Sequence, residues 1–406
     1  MKLIHGGVTA PKGFAASGIY AGIKKKRKDI ALVYSAHPAK GAGTFTSNVV
    51  KAAPVLWDLK LTKESENIQA IVINSGVANA CTGEEGDKNN LLMAETVAKE
   101  LQIPISSVYT ASTGVIGKQL PIDIITAAIP TLVKELDDKV EAGSLAAESI
   151  MTTDTFSKEC ALTCLIGGKE VTVGGMAKGS GMIHPNMATL IGVVTTDISI
   201  SKELLQEAIS EDVKHSFNMI SVDRDTSTND SLLVLANGMA ANYEIREKNE
   251  DYYEFCKALN TVTTKLSKMI AADGEGATKL LEVTVKGAKD HEEAVILSKS
   301  IITSNLVKTA VFGNDANWGR ILCAMGYSGV DFDPYKVDLT IESEDGSLKL
   351  VEDGMATDYS EDLASKILSA KEVKAIANIN QGKAYATAWG CDFSYDYVKI
   401  NADYRS

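Results

Sequence analysis

The most informative stretch of this sequence is a glycine-rich loop that leads directly into an apolar segment, Lys178-Gly-Ser-Gly-Met-Ile-His-Pro-Asn-Met-Ala-Thr189-Leu-Ile-Gly-Val-Val-Thr-Thr-Asp197. Residues 190–195 are rich in β-branched side chains and predict a buried strand. Thr189 lies at the junction of loop and strand. From spacing alone, its simplest interpretation is a β-branched residue that begins the strand after a turn.

Thr189 also has the chemistry of a self-generated nucleophile. If the peptide bond between Ala188 and Thr189 breaks, the new amino terminus carries a hydroxyl nucleophile and an α-amine on one residue. The reference pKa of that amine is about 7.7–8.0, so it can accept the hydroxyl proton near neutral pH. No histidine is then needed as the base. His184, which is followed by Pro185, is interpreted as shaping the turn before the cleavage bond.

Composition is typical of a globular protein. The 406 residues (43.2 kDa) are enough for two or more hydrophobic cores, and 45% of them are hydrophobic. A formal net charge of −12 argues against nucleic-acid binding, because phosphate contacts need concentrated positive charge. No stretch reaches the ~18 apolar residues of a membrane span, so a cytoplasmic location is expected. The six cysteines are thinly spread and are expected to be reduced.

Three short motifs suggest other functions, and each has a simpler interpretation. The basic run Lys24-Lys-Lys-Arg-Lys28 is interpreted as a solvated hairpin turn rather than an anion patch or a nuclear signal. Cys160 and Cys164 lie in an alternating run, 156–166, that predicts a strand with two core thiols rather than a metal pair. The acidic segment 223–230 lacks the glycine and distal glutamate of a calcium loop, and structural hydrogen bonds are expected there.

Helical and β-rich patterns are mixed along the chain. Apolar residues recur at helical spacing in six segments, with Ser201 as an expected N-cap: 89–102, 121–136, 201–218, 251–272, 292–304 and 360–370. Short β-rich runs occupy 70–74, 170–173, 190–195, 231–236, 281–285, 336–342, 375–379 and 384–388. This mixture predicts helices that cover sheets, and periodicity alone does not define the architecture further.

Seven further runs follow one another along the chain: Thr9-Ala-Pro-Lys-Gly-Phe14, Gly43-Thr-Phe-Thr-Ser-Asn48, Asn74-Ser-Gly-Val-Ala-Asn-Ala-Cys-Thr-Gly83, Ser112-Thr-Gly-Val-Ile-Gly117, Met151-Thr-Thr-Asp-Thr155, Asp273-Gly-Glu-Gly-Ala-Thr278 and Gly313-Asn-Asp-Ala-Asn-Trp-Gly-Arg320. Together with the 178–197 stretch, they resemble the ornithine acetyltransferase family, also called glutamate N-acetyltransferase, which acts in arginine biosynthesis. The resemblance extends nearly from end to end.

This resemblance implies an α+β fold in which sandwiched β-sheets are covered by helices. The layering would be similar to that of N-terminal-nucleophile hydrolases, with different connectivity and a smaller C-terminal portion. It further implies self-cleavage between Ala188 and Thr189, which would give an α chain of residues 1–188 and a β chain of residues 189–406. Two such pairs would assemble as an α₂β₂ heterotetramer.

The resemblance also implies the residues of the site. Thr189 would be the nucleophile with its own α-amine as base, and Thr113 with Gly114 would form the oxyanion hole. Lys178 would bind a carboxylate, and Glu275 would bind an α-amine or the cationic side chain of ornithine. The substrate-binding residues implied in full are Thr152, Lys178, Thr189, Glu275, Asn401 and Ser406. Whether Thr152 or Thr153 faces the pocket stays open, because neighbours on an extended segment point in opposite directions.

The implied reaction is a two-step acetyl transfer. Thr189 would take acetyl from N2-acetylornithine, release ornithine, and pass the acetyl group to glutamate to give N-acetylglutamate. No metal and no cofactor are predicted, and the sequence leaves open whether acetyl-CoA is also a donor. One alternative is an N-terminal-nucleophile amidase or aminopeptidase in which water resolves the acyl-enzyme. The other is a non-catalytic protein that binds small molecules and has an inert glycine-rich turn.

Overall fold

The structure is a computed structural model that describes residues 1–184 and 190–403. The strands within these ranges are β1 (Lys2–Ile4), β2 (Phe14–Ile19), β3 (Ile30–Phe45), β4 (Ile68–Val77), β5 (Val108–Val115), β6 (Lys158–Ile166), β7 (Lys169–Lys178), β8 (Ile191–Thr196), β9 (Ile220–Ser221), β10 (Ser231–Ala236), β11 (Leu280–Ala288), β12 (Asp338–Ser343), β13 (Gly346–Glu352), β14 (Met355–Ala356), β15 (Glu372–Asn378) and β16 (Ala384–Cys391). The helices are α1 (Ala53–Glu64), α2 (Gly83–Leu101), α3 (Ile122–Lys134), α4 (Val140–Ser149), α5 (Lys202–Asp212), α6 (Glu250–Ala272), α7 (His291–Ile302), α8 (Asn305–Phe312), α9 (Trp318–Gly326), α10 (Glu361–Leu368) and α11 (Tyr395–Asp403).

Strand β3 joins two layers of one large sheet. Its first half pairs with β2 and β4, and residues Lys40–Phe45 at its other end pair with β10. The register shifts between Tyr34 and Ala39, where the strand passes from one layer to the other. The strand order of this sheet in the described ranges is β1-β6-β7-β8-β10-β3-β4-β5, with β2 also on β3.

The alternation of side chains along the strands fills a core between the two layers. Leu233 and Leu235 of β10 belong to the same inner core as Ala31 and Val33 of β3. Their neighbours point outward, because successive side chains in a strand face opposite sides of the sheet. Outward-facing residues of β3 pack with α2 and α3, and those of β10 pack with α5 and α6. The predicted sandwich of sheets covered by helices is therefore confirmed.

A second sheet lies beyond helix α6. Its strand order is β14-β13-β12-β15-β11-β16-β9. Helix α6 contacts β6 and β7 of the first sheet on one side and β11 and β16 of the second sheet on the other. Its buried residues, among them Leu259, Leu266 and Ile270, belong to the core that both sheets share. This burial of apolar area joins the C-terminal portion to the main body.

The two segments on either side of the predicted cleavage bond are interleaved in the first sheet. Strands β8 and β10, from the segment after residue 189, lie between β7 and β3, which both precede residue 185. The bond itself lies between Ala188 and Thr189, outside the described residues. The division into chains 1–188 and 189–406 thus remains a prediction, whereas the interleaving means that neither segment could form this sheet alone.

All six helices predicted from periodicity are confirmed, with shifted ends. Ser201 is the N-cap of α5, where its hydroxyl accepts a hydrogen bond of 3.3 Å from the Leu204 N–H. That helix ends at Asp212 rather than at residue 218. Cys160 and Cys164 are buried in β6, as predicted. No single helix in the described part of the chain has the length and apolarity to cross a membrane, although the bent pair α7 and α8 passes on those two criteria.

Candidate active site

A cavity opens where β5 and β7 end and β8 begins. Its lining includes six of the predicted site residues: Thr113, Gly114, Thr152, Lys178, Glu275 and Asn401. Thr153 lines it as well, so both threonines of the open pair reach the cavity. Thr189 and Ser406 lie outside the described residues. Leu190, which follows Thr189 directly, lines the cavity, and the chain therefore enters β8 at this site.

Gly114 is at the end of β5, where the backbone comes very close to the neighbouring strand. It has φ +129°, and a Cβ added there would overlap the carbonyl of Gly76 in β4. Glycine is required here by the close contact between the two strands. This contact fixes the position of Thr113, which pairs with Ser75 in the same register.

Two lysines and two aspartates form a buried network below the cavity. Lys158 Nζ donates to Asp154 Oδ1 at 2.7 Å and to Asp273 Oδ2 at 2.6 Å. Lys178 Nζ is 4.0 Å from Asp154 Oδ2. Asp154 also accepts hydrogen bonds from the backbone N–H groups of Thr152 and Gly179, at 2.9 and 2.7 Å. One carboxylate therefore links the threonine pair to the glycine-rich loop.

Burial and neighbouring charge both act on these groups. Burial lowers the pKa of Lys178 below its ordinary value, against the opposing charge of the Asp154 carboxylate. For Asp154, burial alone would raise the pKa, but the ammonium groups of Lys178 and Lys158 outweigh it and hold the pKa below its ordinary value. Asp154 is therefore charged near neutral pH, and it holds a cation beside the cavity.

Glu275, which follows helix α6, also lines the cavity. Its carboxylate accepts a 2.7 Å hydrogen bond from Asn401 Nδ2 of α11, and its backbone N–H donates to the Ser180 carbonyl at 2.9 Å. A Cβ at Gly181 would overlap the Glu275 carboxylate. The glycines of the loop thus leave room for a negative charge, and the C-terminal helix supplies its hydrogen-bond partner.

Asp223 holds the backbone just before the predicted cleavage bond. Its carboxylate accepts hydrogen bonds from the N–H groups of Met182 and Ile183, at 2.6 and 2.8 Å. The Thr226 hydroxyl donates to the His184 carbonyl at 2.9 Å. The hydrogen-bonding role predicted for the 223–230 segment is therefore confirmed, and these bonds hold residues 182–184.

His184 is held as a neutral side chain. Burial, aided by the charges of Lys299 and Arg224, lowers its pKa to about 4. Its Nδ1 is 3.0 Å from the Ser221 hydroxyl. The side chain thus contacts the 220–226 segment, whereas the turn that His184 is predicted to shape lies outside the described residues.

The basic run 24–28 does lie in the turn between β2 and β3, but it is not simply solvated. Lys24 Nζ donates to the Met151 carbonyl at 2.9 Å. Arg27 Nη1 donates to the carbonyls of Thr152 and Asp154, at 3.4 and 3.3 Å. The run therefore contacts the loop that supplies the threonine pair, a tertiary contact that a charge pattern does not reveal.

Sequence reasoning also missed Asn229 and Asp154. Asn229 lines the cavity, and its Nδ2 donates to the carbonyls of Ala78 and Ser112, at 2.5 and 2.8 Å. Asn229, which precedes β10, thus contacts both β5 and the residue that follows β4. Asp154 lies in the Met151–Thr155 run, and its position between threonines was the sequence signal that could have identified it as a site residue. Within residues 1–184 and 190–403, no group of three or more His, Cys, Asp or Glu side chains is arranged to hold a metal ion.

Taken together, the cavity is lined by hydrogen-bond donors, a cation and a carboxylate. Thr113, Lys178 and Glu275 line it together with Leu190. Such an arrangement can bind a zwitterionic small molecule and stabilise an oxyanion that forms at its acyl group.

Comparison with known proteins gives the family. The model of the ArgJ family matches residues 15–406. An arginine biosynthesis bifunctional protein ArgJ from Thermotoga neapolitana is 50% identical over 98% of this chain and 99% of its own length. ArgJ 1 from Clostridium acetobutylicum is 53% identical over 97% of this chain and 96% of its own. The crystal structure of an ornithine acetyltransferase from Mycobacterium tuberculosis, complexed with ornithine, is 42% identical and covers 47% of this chain and 98% of that chain, with a TM-score of 0.43. Because the family match and these full-length relatives extend over almost every residue, the chain belongs to the ArgJ family.

Proposed function

We propose that this chain transfers acetyl from N2-acetylornithine to glutamate through an acetyl ester on Thr189. The overall activity follows from the family: the chain is a glutamate N-acetyltransferase (ornithine acetyltransferase) of arginine biosynthesis. The roles of individual residues are the proposed part. The observation that carries them is that Thr113, Gly114, Lys178 and Glu275 line one cavity together with Leu190, the neighbour of Thr189.

In the first step, Thr189 Oγ1 attacks the acetyl carbonyl carbon of N2-acetylornithine. The α-amine of Thr189 takes the hydroxyl proton, and the carbonyl oxygen becomes an oxyanion. The Thr113 hydroxyl and the Gly114 N–H donate to that oxyanion. The C–N bond then breaks, the α-amine returns the proton to the leaving nitrogen, and ornithine departs. The product on the protein is the acetyl ester of Thr189.

The second step reverses the first with a different amine. The α-amine of glutamate attacks the ester carbonyl carbon, the same donors bind the oxyanion, and the C–O bond to Thr189 breaks. The proton from the attacking amine returns to Thr189 Oγ1 through the α-amine. The products are N-acetylglutamate and the free threonine, so no acetyl group is lost to water.

The charges of the cavity suit amino-acid substrates. Glu275 is proposed to bind the ammonium of the ornithine side chain or an α-amine, with Asn401 orienting its carboxylate at 2.7 Å. Lys178 is proposed to bind the substrate carboxylate. Thr152 and Ser406 complete the proposed substrate set. Placing opposite charges at separate residues of one cavity orients the substrate as well as binding it.

The rest of the proposal concerns assembly and donors. The α and β chains are proposed to form a cytoplasmic α₂β₂ heterotetramer. No cofactor is needed, because side-chain and backbone groups supply the nucleophile, base and oxyanion donors. Acetyl-CoA is proposed as a second acetyl donor to Thr189, and the word "bifunctional" in the names of the relatives supports it.

The test is glutamate-dependent release of ornithine. Purified, self-processed protein is mixed with N2-acetylornithine with and without glutamate, and ornithine, acetate and N-acetylglutamate are measured. We expect ornithine and N-acetylglutamate to form in equal amounts, and the Thr189→Ala variant to form neither. Ornithine released with acetate at the same rate without glutamate would instead identify an amidase, in which water resolves the acyl-enzyme.

A further inference from the structure

We propose that the basic hairpin, residues 22–28 between β2 and β3, binds the phosphate groups of a phosphorylated acyl thioester such as acetyl-CoA. The inference rests on the proposed function, because it assigns a place to the second acetyl donor of the same Thr189. It concerns side chains outside the substrate cavity, which none of the steps above uses.

The basic hairpin is anchored at the rim of the cavity on two sides. On one side, Lys24 and Arg27 donate to carbonyls of the 151–154 loop, which supplies the threonine pair. On the other side, the Lys24 side chain lies against Gly76, where an added Cβ would be 3.0 Å from Lys24 Cγ. Gly76 is the register partner of Gly114. The hairpin is thus fixed between the oxyanion donors and the threonine loop.

Between these anchors, the tip of the hairpin presents cations to solvent. Lys25, Lys26 and Arg27 are exposed. Lys28 is engaged in an ion pair with Glu148 at 3.0 Å. Within the described ranges, neither Lys25 nor Lys26 has an ion pair or a hydrogen bond. The ammonium groups of Lys25 and Lys26 are therefore exposed near the rim and make no structural contact in the described ranges.

The charge of the protein makes this concentration of cations informative. The chain carries a net charge of −12, which repels a polyanionic ligand, and yet a run of five cations lies beside the cavity. Partial burial lowers the pKa of Lys24 to about 8, so the hairpin keeps a half-buried lysine at a cost in solvation. An amino-acid substrate is small enough to bind inside the cavity and does not reach the tip. A ligand that reaches both the cavity and the tip is long and anionic at its far end.

A phosphorylated acyl thioester has this shape and charge. Its acyl group is at one end of a flexible arm, and its phosphates are at the other. Thr189 Oγ1 would attack the thioester carbonyl carbon, forming the C–O ester bond as the C–S bond breaks, and the hydroxyl proton would leave with the thiol. The acetyl ester is the same one that N2-acetylornithine gives, so a single acceptor step serves both donors.

The test separates the phosphates from the acyl group. Acetyl-CoA and S-acetylpantetheine, which carries no phosphate, are compared as donors for glutamate in the wild type and in Lys25→Ala/Lys26→Ala. We expect the double variant to raise the KM for acetyl-CoA about tenfold, a factor within the range of two exposed ion pairs. The KM for S-acetylpantetheine and the rate with N2-acetylornithine should not change. The effect should shrink as salt is added, because these lysines are exposed.

Lys169→Ala/Lys383→Ala is the matched control, since it removes two exposed lysines elsewhere, at the start of β7 and just before β16. Calorimetry with coenzyme A and with inorganic phosphate adds a binding measurement that does not require turnover. Weaker binding of coenzyme A in Lys25→Ala/Lys26→Ala alone supports the proposal. The proposal would be overturned if Lys25→Ala/Lys26→Ala left the KM for acetyl-CoA and the affinity for coenzyme A unchanged, or if the control lost as much. It would also be overturned if the wild type neither bound coenzyme A nor preferred acetyl-CoA to S-acetylpantetheine. A wild type that binds coenzyme A at the hairpin but fails to exchange acetyl between N2-acetylornithine and glutamate would refute the proposed function and not this site.

Discussion

Lys178 Nζ lies 3.5 Å from Thr113 Oγ1 and donates to it. An ammonium group has no acceptor capacity, so the hydroxyl oxygen must accept here. The hydroxyl proton of Thr113 is then left to point away from Lys178, and both residues line the cavity. The pair thus leaves a hydroxyl donor at the cavity, where we propose that it stabilises the oxyanion of acyl transfer.

Removing the Thr113 hydroxyl should slow acetyl transfer. We expect Thr113→Ala to lower turnover by about one to three orders of magnitude, because one preorganised oxyanion donor is lost. Thr113→Ser keeps the hydroxyl and is the control, which should retain most of the activity. Initial rates on fully cleaved protein measure both. Wild-type turnover in a folded, cleaved Thr113→Ala protein would exclude Thr113 from the oxyanion hole.

Lys158 should be essential for the stability of the site. In Lys158→Met, the carboxylates of Asp154 and Asp273 lose their shared buried cation, and unpaired buried charge typically costs about 3–5 kcal/mol. Lys349→Met removes one member of an exposed pair with Glu352 and should cost less than about 1 kcal/mol. Urea unfolding of both variants in the uncleaved Thr189→Ala background measures the free energies of unfolding. Equal losses in the two variants would show that the network contributes little to folding.

The wild-type chain should cleave itself at residue 189. From a mass of 43.2 kDa, cleavage before Thr189 would give fragments of about 20 and about 23 kDa, whereas Thr189→Ala should stay one band, because it lacks the hydroxyl. Denaturing electrophoresis of protease-free preparations tests this. Cleavage of Thr189→Ala at the same bond would show that Thr189 is not the nucleophile of that step.

The fragments should remain together after cleavage. Strands β8 and β10 lie between strands of the other segment, so separation would break the β7–β8 and β10–β3 pairings and expose four strand edges and the core on both sides of them. We expect a single peak that contains both fragments on gel filtration without denaturant. Two separate peaks would contradict the interleaved sheet.

His184 should make the protein less stable in acid. Its pKa is about 4 in the folded state against an ordinary 6.5, so between these values the folded state binds fewer protons than the unfolded state. The stabilisation is complete above pH 6.5 and is lost as the pH falls toward 4. Asp212 acts in the opposite direction, because burial raises its pKa to about 6 and its contribution is lost as the pH rises through that value.

Comparison with His184→Asn isolates the histidine contribution from that of Asp212. Both proteins are compared in the Thr189→Ala background. As the pH falls from 7 to 4.5, the parent should lose more free energy of unfolding than His184→Asn does. Urea unfolding at several pH values measures it, with His37→Asn at an exposed position as the control. A difference that does not vary with pH would mean that His184 is not held neutral by the fold.

Local patterns predicted the long amphipathic helices and the central strands, because those elements bury one clear face. Helix α6 and strand β10 were found within one residue of their ends. The helices α1, α4, α8, α9 and α11 were missed, whereas α10, with only eight residues, was predicted, so length alone does not decide which helices carry a periodic signal. Strand β3 was missed as well. Its bend between two layers is a tertiary feature that no local pattern encodes.

The site shows the same limit. The resemblance supplied Thr113, Lys178 and Glu275, and the structure brings these residues to one cavity. It did not supply the contact of Arg27 with the Thr152 carbonyl, because the two residues are 125 positions apart in sequence. Such contacts depend on how separate elements pack. The run of basic residues therefore predicts exposed side chains, but it does not reveal that Lys24 and Arg27 donate hydrogen bonds to the 151–154 loop.

The covalent intermediate itself can be tested by kinetics and by mass. If acetyl rests on Thr189 between two amines, ornithine must leave before glutamate attacks, so plots of initial rate against N2-acetylornithine at several glutamate concentrations should be parallel. Intersecting lines would indicate a ternary complex. With N2-acetylornithine alone, the 189–406 fragment should gain about 42 Da, the mass added when acetyl replaces the hydroxyl proton. Glutamate should remove that mass faster than water does, because the cavity positions its amine. If rapid quenching shows no adduct and the lines also intersect, acetyl does not pass through Thr189, even if the overall reaction is the one proposed.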